Sequence, residues 1–277
     1  MTVGKPVIVV RNLSFAYRSR PEAPVIDGIS CFIAKGDFVG VVGGTGAGKS
    51  TLLRCMNGII PHLQEGIMKG SVSVDGRSTE RTPPSGFAGK IGFLFQDPDS
   101  QLFAPTVAEE ISFGLRNMGV KAGEMPARVA GALKLVGMDG FQGRDPHELS
   151  GGQRQKIALA SVLAMEPEVL LLDEPVSALD WRNATEVYGL VRRLNQGGKT
   201  VVVVEHNTEL LAEYAKRVLV LDGGKIALDA PPGKVFSDKI MGPLGLKIPC
   251  AVRISRVLGI KEMATPEKLA ERLRRGK

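Results

Sequence analysis

Along this chain, short runs that are apolar at every position alternate with longer stretches whose apolar positions recur every three or four residues. The first pattern predicts strands buried on both faces, and the second predicts amphipathic helices. Runs at 38–42, 169–172 and 200–204 are the clearest buried strands. Earlier, 7–10 and the alternation through Leu13, Phe15 and Tyr17 read as a strand that enters a loop at 18–24 carrying Pro21 and Pro24. Residues 29–33, 71–74 and 91–95 read as further strands. The turn pair Asp75-Gly76 closes the second, and the Pro-, Ser- and Gly-rich stretch 80–89 forms an exposed loop ahead of the third. From Thr106 the texture turns helical. Thr106 and Glu109 form a capping-box pattern, Pro126 opens a second helix to about residue 136, and a helix through 187–194 stops at Gly197-Gly198. A last strand follows 222–224, after which Pro231, Pro232, Pro243 and Pro249 divide the chain into short pieces before a helical tail. Strands gather early, a helical insert follows, and apolar strands then alternate with helices. That order predicts an α/β fold with a mostly parallel sheet covered on both faces.

Composition narrows the class. An apolar share of 43% over 277 residues is ample for a core. No apolar run approaches the roughly 18 residues a membrane helix needs, and the first ten residues lack a signal-peptide layout, so the chain is expected to be soluble by itself. Cys31, Cys55 and Cys250 are scattered without metal-ligand spacing, and the first two fall in apolar segments. They read as small core hydrophobes in a reducing compartment. The formal charge of +7 suggests nucleic acid until it is located: residues 247–277 hold nine basic and three acidic side chains, so the rest is nearly neutral. A basic tail on a neutral body fits a solvated helix, or a segment facing anionic lipid or an acidic partner.

The candidate chemistry begins where the run 38–42 gives way to Gly43, Gly44, Thr45, Gly46, Ala47, Gly48, Lys49, Ser50 and Thr51. Glycines between a strand and a helix let successive backbone N–H groups turn inward, while the helix aims its positive dipole end at an anion. This pattern wraps nucleotide phosphates. Lys49 then reaches the β- and γ-phosphates, and Ser50 serves as a Mg²⁺ ligand.

Two further stretches fit the same chemistry. The run ending in Asp173 and Glu174 places two carboxylates at a strand end, where the alternation of side chains predicts opposite faces and different jobs. Asp173 is expected at the Mg²⁺ ion and Glu174 beside an attacking water. Leu149-Ser150-Gly151-Gly152-Gln153 places Ser150 at the N-cap of a helix whose first two residues are glycines. That is a second anion site, with no second phosphate loop in this chain to fill it.

These motifs resemble those of the ATP-binding cassette (ABC) ATPases from about residue 7 to 230. The resemblance implies a P-loop NTPase of ABC type: a mostly parallel core sheet with an antiparallel β subdomain and a helical subdomain. The cassette would span 1–235, its helical subdomain about 97–165, and a basic, mainly helical extension 236–277. It also implies two shared sites in a dimer, with Ser150, Gly151, Gly152, Gln153 and Asp180 serving the partner's ATP. Gln96 matches the glutamine that senses Mg²⁺ and the membrane partner, His206 the histidine at the γ-phosphate, and Tyr17 the aromatic that stacks on adenine. The sequence departs from the family at Glu205 and Asn207, which flank His206 where Thr and Asp are more usual, and at Trp181, where Pro is common. Catalytic roles thus fall to Glu174, His206 and Gln96, and Mg²⁺ to Ser50, Gln96 and Asp173.

The stretch 95–107, which includes Gln96, Asp97, Pro98, Gln101, Leu102, Phe103, Ala104 and Thr106, is similar more narrowly to the A subunits of energy-coupling factor transporters. That resemblance implies an ATPase at the cytoplasmic face of a membrane, paired with a second ABC subunit. It would drive a transmembrane subunit and a substrate-binding membrane subunit to import a vitamin, cobalt or nickel. The trio Leu102-Phe103-Ala104 is expected to be an exposed docking knob. Soluble cassette ATPases acting on DNA or in translation are the alternative. The former need a long coiled-coil insertion this chain lacks, and the latter usually carry two cassettes, so no nucleic-acid partner is expected.

Overall fold

The computed structural model describes residues 4–260 and 265–274. Of the charges counted above, Lys261, Glu262, Arg275, Lys277 and the side chain of Lys268 lie outside that description. The strands are β1 (Pro6–Tyr17), β2 (Ile26–Ala34), β3 (Phe38–Gly43), β4 (Gly66–Val74), β5 (Arg77–Ser78), β6 (Ile91–Leu94), β7 (Val169–Asp173), β8 (Thr200–Val204), β9 (Arg217–Asp222) and β10 (Lys225–Ala230). The helices are α1 (Lys49–Asn57), α2 (Ile59–His62), α3 (Val107–Asn117), α4 (Met125–Leu135), α5 (Gly151–Ala164), α6 (Trp181–Gln196), α7 (Thr208–Tyr214), α8 (Pro232–Ser237), α9 (Cys250–Val257) and α10 (Pro266–Arg274). The chain divides into two compact units, one formed by residues 1–83 with 204–277 and the other by 84–203.

In the first unit, β2, β1, β4 and β5 lie side by side in that order and pair antiparallel. The alternation expected through Leu13, Phe15 and Tyr17 and the run at 7–10 belong to one long strand, whose register shifts between Val10 and Leu13, where Asn12 takes a positive φ of 46°. β3 runs parallel to β9, with Val41 opposite Leu219, and β10 returns antiparallel to β9. β3 is buried at every position, as its apolar run requires. Cys31 and Cys55 are buried, and burial pushes their thiols up to about 11 and about 12, so they behave as the small hydrophobes expected. α8 packs on β9 and β10, and its Val235 and Phe236 are fully buried, which ties the C-terminal extension to the sheet.

In the second unit, β6 and β7 pair parallel, Phe93 facing Leu171, and β8 lies beside β7. β7 and β8 are buried throughout. α3, α4 and α5 pack on one another. Thr106 caps α3 by accepting the Glu109 N–H, but the Glu109 carboxylate takes the Thr106 hydroxyl at 3.0 Å in place of the reciprocal backbone bond of a capping box. Pro126 sits in the first turn of α4, where its missing N–H costs nothing. Among the described residues no helix is long and apolar enough to cross a membrane.

Candidate nucleotide site

In the first unit the phosphate loop joins β3 to α1 through two positions that only glycine fills. A Cβ on Gly43 would stand 2.4 Å from the Leu221 carbonyl oxygen. Gly48 has a φ of 95°, and its Cβ would meet the Val25 carbonyl at 2.6 Å. Gly48 is also the N-cap of α1, so the cap residue itself brings no side chain to compete for the N–H groups of the first turn. Lys49 is buried, and its ammonium donates to the carbonyls of Gly43 and Gly44, both at 3.0 Å. The cation is therefore held over the loop it would share with a phosphate. Tyr17, from the end of β1, shares a 3.1 Å hydrogen bond with the Thr51 hydroxyl and meets the edge of Phe15. A cavity of about 590 Å³ opens at this loop, with Tyr17, Val25, Thr45, Ala47, Pro243 and Leu244 among its walls.

His206 is exposed at the end of β8. The neighbouring Glu205 is buried, and one of its carboxylate oxygens accepts from the backbone N–H groups of His206 (2.8 Å) and Asn207 (2.9 Å). Asn207 in turn caps α7 through the Glu209 N–H. The two departures at Glu205 and Asn207 thus build the turn that carries His206, a backbone role the sequence did not disclose.

In the second unit the structure brings Gln96 and Glu174 together: the Gln96 amide donates to the Glu174 carboxylate at 3.0 Å. Asp173 is buried at the end of β7. Glu174 has a φ of 49°, so the chain leaves the extended conformation between the two acids. β7 ends at Asp173, so the alternation of a strand invoked above does not extend to Glu174. A left-handed non-glycine residue costs about 1–3 kcal/mol and tends to mark functional positions.

Ser150 caps α5 as expected, and Gln153 completes the box by accepting the Ser150 N–H at 3.0 Å. The Gln153 side chain is therefore engaged in the cap itself. Four residues to which the sequence assigned no individual role organise the surroundings. Gln101 accepts from the Phe95 N–H and donates to the Ala158 carbonyl, pinning the segment after Gln96 to α5. Arg154 pairs with Asp99 at 2.6 Å and donates to the Leu149 carbonyl, joining that same segment to the residue ahead of Ser150. Lys156 donates to Asn183 at 2.6 Å, and Asn183 donates through both its backbone N–H and its amide to Asp180, the N-cap of α6. Those Asn183 bonds hold the Asp180 carboxyl below the ordinary carboxylate range, helped by the Lys156 charge. Ser150, Gly151, Gly152, Lys156 and Asp180 all line one cavity of about 660 Å³.

The expected docking knob needs correction. Leu102 and Ala104 are buried, at 3% and 6% exposure, and only Phe103 stands out, at 60%. Glu110 explains the difference: nearly fully buried, it accepts the N–H groups of Phe103 and Ala104 at 2.9 Å each and draws the loop down onto α3. Phe103 instead packs edge-on against the exposed Phe113, ring centres 4.8 Å apart, so the apolar projection is an aromatic pair from two segments.

The Ser50 hydroxyl in the first unit, and the Gln96 amide oxygen and Asp173 carboxylate in the second, are each oxygen donors of the kind Mg²⁺ takes, a hard ion that prefers few protein ligands beside substrate phosphates. Among the described residues no cluster of three or more His, Cys, Asp or Glu side chains forms a separate metal site.

Comparison with known proteins identifies the family. Residues 26–177 match the family model described as ABC transporter. A putative ABC transporter ATP-binding protein of Methanosarcina mazei is 42% identical over 260 residues, covering 93% of this chain; the chain spans 45% of that relative's length. The energy-coupling factor transporter ATP-binding protein EcfA of Methanocaldococcus jannaschii is 38% identical, covering 92% of this chain and 90% of its own. The solved structure of cbiO1 from Clostridium perfringens, described as part of the ABC transporter complex cbiONQ, superposes with a TM-score of 0.74 at 32% identity, over 92% of this chain and 99% of that one. With a phosphate loop, a capped glycine helix and a paired Gln96 and Glu174 already in place, these matches settle the family: the chain belongs to the ABC transporter family, as one of its ATPase cassettes.

Proposed function

We propose that the chain is the ATP-hydrolysing subunit of an importer of the energy-coupling factor type, seated at the cytoplasmic face of a membrane. The observation that carries this reading is the Gln96–Glu174 hydrogen bond, because Gln96 opens the segment that ends in the exposed Phe103. A residue in contact with the hydrolytic carboxylate is thereby linked along seven positions of chain to an apolar projection. The relative named EcfA and the structural neighbour described as part of cbiONQ support the same branch.

In this reading the phosphate loop binds the triphosphate of ATP, Lys49 neutralises its charge, and Tyr17 faces the base. Mg²⁺, when bound by Ser50, Asp173 and Gln96, supplies charge neutralisation at the phosphates. Glu174 accepts a proton from the attacking water, and His206 contacts the γ-phosphate. Ser150, Gly151 and Gly152 present the start of α5 to the nucleotide of a partner cassette, Asp180 reaches across, and closure of the pair moves the membrane subunits. Phe103 and Phe113 anchor the transmembrane subunit, each contributing roughly 2–3 kcal/mol when buried in its pocket.

A pull-down with the transmembrane subunit, beside a thermal melt, tests the docking. Phe103→Ser with Phe113→Ser is expected to abolish capture while leaving ATP binding and the melting temperature near those of the parent. Retained capture sinks the docking role of the pair.

A further inference from the structure

The geometry points to the C-terminal extension as part of the nucleotide site: we propose that Pro243 and Leu244 form the apolar wall against which the base of the bound nucleotide rests. This rests on the reading that the phosphate loop holds the triphosphate. The cavity of about 590 Å³ at that loop is lined by Gly44 to Ala47 and by Pro243 and Leu244 together. A ligand whose phosphates lie at the loop therefore extends its remaining bulk along walls that the extension helps to build. Tyr17, Val25, Pro243 and Leu244 offer that bulk aromatic and aliphatic surface, which suits the flat faces of a heteroaromatic base.

The wall is built to stay in place. Asp238 caps the single turn at Lys239–Met241 by accepting the Ile240 N–H at 2.9 Å. The Leu246 N–H donates to the Met241 carbonyl and the Gly245 N–H to that of Gly242, both at 2.9 Å, and Gly245 takes a φ of 65° to close the turn. Met241 is fully buried beneath it, as are Val235 and Phe236 in α8 just upstream. Pro243 adds a fixed φ of its own. The opposite side is equally constrained: the Gly224 carbonyl accepts the Asp27 N–H at 2.9 Å, and a Cβ on Gly224 would stand 2.7 Å from the Val25 carbonyl. Both sides of the cavity are thus set before ligand arrives, so little ordering is left for the base to impose.

The consequence is a division of labour within one ligand. The phosphate loop sets affinity for the triphosphate, and the extension sets the added affinity for a base. Titration calorimetry with ATP and with inorganic tripolyphosphate separates them. Pro243→Ser with Leu244→Ser is expected to weaken ATP about tenfold, the loss of roughly one half-buried side chain's contact, and to leave tripolyphosphate within about twofold of the parent. Equal weakening of both ligands, or of neither, overturns the proposal. A parent chain that binds tripolyphosphate no better than Lys49→Ala does removes the phosphate-loop reading beneath it. A second measurement does not depend on the double variant folding. Leu244→Trp with Trp181→Phe carries a single tryptophan at the wall, and its emission should change with ATP but not with tripolyphosphate. No response to ATP at concentrations that saturate the site likewise overturns the role of Leu244.

Discussion

The phosphate loop and the segment around Gln96, Glu174 and Ser150 are held in shape by different means. In the first, the backbone carries the geometry: Gly43 and Gly48 are confined by the Leu221 and Val25 carbonyls, and Lys49 folds onto the loop's own carbonyls. In the second, side chains carry it, through Gln101, Arg154, Lys156 and Asn183. A backbone device is written in consecutive residues and survives most changes around it. A side-chain network depends on partners far away in sequence, and each partner is a separate point of failure.

The largest expected difference is in chemistry. Glu174→Gln should lower ATP turnover by roughly 10²- to 10⁴-fold while leaving ATP affinity nearly unchanged, because the amide keeps the Gln96 contact region filled and loses the basicity. Lys49→Ala should act in the opposite sense and weaken ATP binding itself. Turnover of the Glu174→Gln chain at near the parent rate would take Glu174 out of the general-base role.

Next comes stability. Arg154→Met removes the tie between Asp99 and Leu149 and should cost about 1–3 kcal/mol in urea unfolding, since the Arg154 side chain is largely buried and serves two partners. Arg18→Met in the first unit breaks a pair of similar length, with Glu65 at 2.6 Å, but both side chains there are exposed. That change should be nearly neutral. Equal losses from the two variants would erase the contrast between the regions.

A smaller effect of opposite sign is expected one position further along α5. Gln155 is 1% exposed, and among the described residues neither its amide nitrogen nor its amide oxygen has a hydrogen-bond partner. Gln155→Leu should therefore raise stability by about 1 kcal/mol, visible as a higher melting temperature. An unchanged or lower value would show that the amide is served by an internal water.

The smallest effect is electrostatic. Asp180 titrates below its ordinary 3.8, chiefly because of the Asn183 backbone and side-chain hydrogen bonds. A depressed carboxyl stabilises the fold above its unfolded value, and the contribution is lost as pH falls through the folded one. In Asn183→Ala the Asp180 pKa should rise toward the ordinary range, so that the gap from the unfolded value narrows and this pH-dependent contribution shrinks. Carbon NMR of the Asp180 carboxyl reads the shift directly.

The contrast between the regions also decides how much was legible. The phosphate loop, the buried strands β3, β7 and β8, and the Ser150 cap follow from consecutive residues, where pattern and backbone preference coincide. The Arg154–Asp99 pair spans 55 residues and the Gln96–Glu174 bond 78, and no local pattern records such distances. The trio at Leu102 differs from expectation for the same reason: its apolar letters are visible in the sequence, but the buried Glu110 that pulls the loop down reads like any acid in the first turn of a helix. Pro243 and Leu244 read as a break in a tail because proline announces only where regular structure stops, and their place beside the phosphate loop is set by the packing of α8.

The left-handed backbone at Glu174 has a consequence for laboratory evolution. Glycine relieves such a conformation outright, and asparagine tolerates it better than glutamate does. A library of this chain selected for survival of heating alone should accordingly enrich glycine or asparagine at position 174, each relieving about 1 kcal/mol of strain, and would yield tougher proteins that lack the carboxylate proposed to accept the water's proton. Selection that alternates heating with a demand for phosphate release would keep glutamate there and place the gains elsewhere.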